Sequence, residues 1–216
     1  MPGHANERDL IRLKELQHLV SSGVASPIEA IELALLYWEP CHMESDAIGI
    51  LQAVANPQNS LAIIWLAYLY VYHQAVYQVD LTPLQEAVRI LSQIDGTDSE
   101  HGAAARVVLY GALHGLDRSV DSSAEKIRVL EESVGLRPSW VYNRYFLAVE
   151  YAKTGRYAEA LGEVREARRN VLGASDGMHP VTRRFEISIT GRLSNRILER
   201  SLQPLEDRLT ARAGRL

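Results

Sequence analysis

The sequence predicts an all-α fold, a row of antiparallel helical hairpins stacked side by side. Three observations carry that expectation. Apolar side chains recur at helical rather than alternating spacing, and no stretch reads as a strand. Several helix starts are marked by a hydroxyl residue followed three positions later by Glu or Gln, a pairing that satisfies the free amides of a first turn. One stretch, WVYNRYFLAVEYAKTGRYAEALGEVREARRNVL from Trp140 to Leu172, reads as two short helices joined by a tight turn.

Helices are expected over residues 6–22, 27–38, 44–54, 60–78, 83–94, 100–116, 123–135, 140–154, 157–172, 180–190 and 192–212. The first carries one apolar stripe: Leu10, Leu13, Leu16, Leu19 and Val20. Ser26 with Glu29, Thr82 with Gln85 and Ser122 with Glu125 are expected to cap the helices that follow them. Pro27 and Pro83 take first helical positions, where a missing amide costs nothing. The helix at 60–78 shows two stripes. Leu61, Ile64, Trp65, Tyr68, Leu69 and Tyr72 form one, and Leu66, Tyr70, His73 and Tyr77 the other, so it is packed on both sides or offers one side to a ligand. Phe185, Ile189, Leu193, Ile197 and Leu198 give the C-terminal helices a face to lay on the end of the array, with Gly191 and Pro204 as breaks or kinks.

Within the hairpin, Leu147, Ala148 and Tyr151 share one face of the first helix, and Tyr157, Ala160, Val164 and Ala167 continue on the second. Gly155 stands where the turn needs a positive φ. On these residues the hairpin resembles a tetratricopeptide repeat, with Arg144 and Leu172 standing where that family usually has a large apolar residue and proline. A weaker match covers residues 107–138, where Ile127, Leu130, Val134 and Leu136 fall in register before Pro138 and Lys126 replaces the usual alanine. DAIGILQAVANPQN and LQEAVRILSQIDG resemble second helices too. Taking Ala47, Ala87, Lys126 and Ala160 as equivalent gives spacings of 40, 39 and 34, of which only the last has the family's usual length.

The resemblance implies a right-handed α-α superhelix in one domain spanning residues 1–216. Irregular N-terminal helices are expected over 1–56, hairpin repeats over 57–174 and C-terminal capping helices over 175–216. Because the first helix of each pair lines the inner groove of such arrays, the resemblance also implies that Tyr70, His73, Tyr77, Tyr142, Tyr145 and Val149 face it. Tyrosine suits recognition, with a broad apolar face and a hydroxyl at low entropic cost. The same residues also serve as core with satisfied hydroxyls, and that alternative stays open.

Composition sets outer limits. One cysteine, Cys41, leaves no internal disulfide framework, and MPGHANERDL lacks the basic-then-apolar pattern of a secretory signal, so a cytoplasmic protein is expected. Ser60–Val79 is uncharged over nearly a bilayer's thickness but holds four tyrosines, a histidine and two glutamines, which favours a buried helix over a membrane span.

Charge is uneven. Residues 1–100 carry 13 acidic and 4 basic side chains, residues 101–216 carry 14 and 19, and no Lys or Arg stands between Lys14 and Arg89. Glu29, Glu32, Glu39, Glu44 and Asp46 fall in that acidic half. They are a solvated surface, an attractive front for a basic protein, or one half of a head-to-tail homo-oligomer. The tail mixes Arg183, Arg184, Arg192, Arg196, Arg200, Arg208, Arg212 and Arg215 with Glu186, Glu199, Glu206 and Asp207, which suits a salt-bridged cap better than a nucleic-acid surface.

Chemistry-bearing patterns are sparse. Glu15 with His18 and Glu39 with His42 have the Glu-x-x-His spacing of di-iron helices, but Pro40 interrupts the second and the other acidic ligands are not evident. No catalytic residue, metal or cofactor is expected. The chain is read as a protein- or peptide-binding adaptor with a tyrosine-bearing concave surface and an acidic front; an immunity-type inhibitor that masks a basic partner is one version. The alternative is a small-molecule sensor or enzyme with a pocket near His73 and His114.

Overall fold

Cap chemistry and apolar spacing are realised as helices throughout a computed structural model that describes residues 7–39, 41–77, 80–94, 99–117, 122–170 and 195–214. These form α1 (Glu7–Ser21), α2 (Pro27–Trp38), α3 (Glu44–Val54), α4 (Ser60–Tyr77) and α5 (Thr82–Leu91). They continue as α6 (Ser99–Leu116), α7 (Ser123–Leu136), α8 (Val141–Lys153), α9 (Tyr157–Asn170) and α10 (Asn195–Ala213). No strand occurs among the described residues. The helix expected at 180–190, with Leu172, Phe185, Ile189, Gly191 and Leu193, lies outside them.

The helices pair in sequence as α2–α3, α4–α5, α6–α7 and α8–α9, and each second helix packs on the first helix of the next pair. The second pair therefore follows the first without a break. Helix α1 covers α2 at one end and α10 covers α9 at the other. Ala47, Ala87 and Ala160, one on each of three second helices, are fully buried, because only a small side chain lets two backbones approach closely. Lys126 takes that place on α7 at 1% exposure. Its stem is buried while Nζ reaches the α6–α7 turn, donating to the Asp117 carbonyl and to Ser122 Oγ at 2.5 Å.

Only one of the three expected capping boxes forms. Ser26 Oγ accepts from the Glu29 amide, and the Glu29 carboxylate accepts from the Ser26 amide at 2.7 Å. At α5 the carboxylate of Asp80 replaces the expected Thr82–Gln85 pair, accepting from both the amide and the hydroxyl of Thr82 at 3.0 and 2.9 Å. Ser122 makes no side-chain cap because its backbone is already helical and its hydroxyl donates to the Asp117 carbonyl. The α8–α9 turn matches expectation. Gly155 has φ +79°, and the amides of Gly155 and Arg156 donate back to Ala152 and Tyr151.

Two large apolar clusters result, one spanning α2 to α6 around the fully buried Trp65, the other spanning α6 to α10. A smaller cluster of Leu16, Leu33 and Leu36, with Leu13, Leu19 and Val20 against it, holds α1. Leu10, the first member of the expected stripe, is 45% exposed. Helix α4 is buried on every side from Leu61 to Ala67, which answers why its sequence has two apolar stripes. Among the described residues no helix is long and apolar enough to cross a membrane.

Candidate functional site

The six residues expected to line an inner groove fall into separate places. Tyr70 and His73 turn toward α3: the Tyr70 hydroxyl accepts from Gln52 Nε2 at 2.9 Å, and His73 Nδ1 lies 3.1 Å from Glu44 Oε1. The Tyr77 side chain lies outside the described residues. Tyr142 is half-buried with its ring edge-on to Trp140, at 6.3 Å. Tyr145 and Val149 meet in a cleft of about 520 Å³ between α8, the start of α9 and α10. His73 and His114 do not share either of the two clefts described, and the His114 ring lies 5.8 Å from that of Tyr110.

The other stripe of α4 carries an aromatic cluster shared with α2. Trp38, the last residue of α2, meets Trp65, Tyr68 and Tyr72 edge-on, with centroids 6.2, 5.7 and 5.2 Å away. Tyr72 is 39% exposed, so the aromatic cluster reaches the surface. Burial pushes the Tyr68 hydroxyl up, and the neighbouring Tyr72 and the Glu39 carboxylate push it further. A tyrosine ending its stripe near a helix terminus is the sequence signal that could have found this surface.

Most of the acidic half is engaged internally. Glu32 takes a two-pronged ion pair from Arg12, at 3.0 and 2.8 Å, which ties α2 to α1. Glu29 caps α2, and the Ser26 amide and hydroxyl hold its pKa below the ordinary value. Glu44 faces His73, and Glu39 is half-buried beside Tyr68. Asp46 is exposed at the rim of a second cleft, of about 500 Å³, between α1, α2 and α3. Gly49, Ile50 and Val54 line that cleft from α3, Leu33 and Tyr37 from α2, and no basic side chain does. Among the described residues no three His, Cys, Asp or Glu side chains gather where they could hold a metal ion. Glu15 pairs with Arg12, and His42 is an exposed residue with φ +55° between α2 and α3.

Near the other end, a buried polar network fixes the stacking. Asn143 of α8 donates to the Ser133 carbonyl of α7 at 3.0 Å, and Ser133 Oγ donates to the Ala103 carbonyl of α6 at 3.0 Å. The Glu150 carboxylate, with no exposed surface, accepts from Tyr110, Ser123 and Lys153 at 3.1, 3.1 and 2.5 Å. Burial alone would raise its pKa. The Lys153, Ser123 and Tyr110 donors outweigh that, and the group titrates below its ordinary value.

This stack of hairpins has counterparts among solved structures. MamA AMB-1 aligns over 78% of this chain and 100% of its own at 21% identity and TM-score 0.52. MamA RS-1, as a double mutant, aligns over 80% and 99% at 11% identity and TM-score 0.53. A Podosopora anserina kinesin-light-chain-like protein of nearly identical TPR-like repeats aligns over 93% and 96% at 19% identity and TM-score 0.51. The fold is a tetratricopeptide-like helical repeat. No protein-family model and no curated protein sequence matches the chain. Within this tetratricopeptide-like frame, α2, α4, α6 and α8 are the first helices of their pairs, and Trp38, Tyr68 and Tyr72 lie where two of them meet.

Proposed function

We propose that the chain is a non-catalytic interaction module that binds a basic protein or peptide through its acidic half and an aromatic inner face. The observation that carries this reading is the surface where Trp38 meets the exposed Tyr72, within a stretch of 74 residues, Glu15 to Val88, without a Lys or Arg. Exposed aromatic rings on an acidic surface suit a cationic side chain, which gains from the ring face and from the surrounding charge together. An immunity-type inhibitor that covers a basic partner is the specific form this takes, since a single-sign front speeds the encounter and masks the target.

The test needs variants that leave the fold intact. Reversing Glu29 or Glu32 would remove a helix cap or the Arg12 pair, so lost binding would report lost structure. Asp46→Lys and Tyr72→Ser alter exposed groups instead. A short dye-labelled peptide alternating lysine with leucine should bind the wild-type chain at low salt. The double variant should weaken it about tenfold, and salt above about 0.3 M should do the same. Unchanged binding under both changes would sink the reading.

A further inference from the structure

Among the described residues most arginines are spent on glutamates, and two that are not stand together on α10. Arg12, Arg89, Arg106, Arg128, Arg144, Arg156, Arg165, Arg168 and Arg169 each pair with a glutamate. Arg137 lies over the ring of Trp140. Arg208 and Arg212, one turn apart on α10, make no ion pair among the described residues: Arg208 donates to its own helix at the Pro204 carbonyl, and Arg212 to the Tyr157 hydroxyl at 3.3 Å. The acids beside them are occupied. Glu206 is held by Arg165 and Arg168 of α9, and Asp207 accepts from Gln203. Glu206 and the two arginines stand on opposite flanks of the stripe formed by Leu202, Leu205 and Leu209, so one flank is neutralised against α9 and the other is left cationic.

That cationic flank borders the cleft with Tyr145 and Val149. Its walls include Leu205 and Val149, and no carboxylate lines it. Lys153 also lines it but is pinned at 2.5 Å to the buried Glu150, so the net positive charge comes from the two arginines. A cleft of about 520 Å³ with an apolar wall and two cations on one rim matches an anion attached to an apolar side chain. We infer that this cleft binds an acidic peptide segment, its carboxylates on Arg208 and Arg212 and an apolar side chain against Val149 and Leu205. The site is independent of the acidic end, and together the two would let one chain bridge partners of opposite charge.

The test is anisotropy of a dye-labelled peptide alternating glutamate with leucine, titrated with the full chain. The expected result is saturable binding that Arg208→Glu with Arg212→Glu weakens about tenfold or more while the circular dichroism melt is unchanged. Should that variant lose helicity, Arg208→Gln with Arg212→Gln takes its place with the same readout. Equal binding by wild type and variant overturns the site, and a polyglutamate that binds as tightly overturns the apolar anchor. A dimer in sedimentation velocity that the double variant dissolves assigns the cleft to a second copy of the chain and overturns the peptide reading. The lysine–leucine peptide should bind the arginine variant as well as it binds wild type, so failure at one end is distinguishable from failure at the other.

Discussion

Glu150 shows how much a single buried residue decides. Its carboxylate joins α6, α7 and α8 through Tyr110, Ser123 and Lys153, and removing it would leave those donors facing no acceptor. Glu150→Ala should cost about 3 kcal/mol at neutral pH in urea unfolding, the scale of a broken buried charged network. Because its folded pKa lies below the ordinary 4.5, its contribution is complete above that value and fades as pH falls through the depressed one. The wild type should therefore lose stability in the acid range more steeply than the variant. Arg144 and Lys126, two of the three repeat positions where this chain departs from the family's residue type, have a shared explanation at this scale. Each buries its stem as an apolar residue would, and each leads its charge out, Arg144 to Glu163 at 2.6 Å and the Pro138 carbonyl, Lys126 to the α6–α7 turn.

Among the elements, caps distinguish what local sequence can specify from what it cannot. The Ser26–Glu29 box forms because both partners lie within one turn and nothing else competes for them. Thr82 and Ser122 carry the same signal, but each is held by another partner: Asp80 for the first, the Asp117 carbonyl for the second. Ser26→Ala should accordingly lower stability by about 1 kcal/mol, and Gln85→Ala should leave the melting temperature unchanged. Asp80→Ala should behave like Ser26→Ala. The α4 stripes make a similar point, since the period identified both apolar faces but not which neighbour each would meet. Tyr70 and His73 met α3, whereas Tyr68 and Tyr72 met Trp38.

Across the whole molecule, the two end helices do different jobs. Helix α1 is tied down by a small leucine cluster and the Arg12–Glu32 pair, and α10 inserts Leu202 and Leu209 into the second large core. Leu209→Ala should destabilise the chain by about 2–4 kcal/mol in thermal or urea unfolding, as a cavity at a buried leucine does. The helices from α1 to α9, their hairpin pairing, the Gly155 turn and the small residues at the helix crossings were legible from the chain alone, since each depends on neighbours within a few residues or on a repeating period. The imbalance of charge was legible as well. Which acids and arginines remain available was decided by the tertiary structure, because ion pairs here join groups 20 and 41 positions apart, Arg12 with Glu32 and Arg165 with Glu206. Spacing along the sequence carries no record of such meetings; only the packing of one helix on another brings the partners within reach.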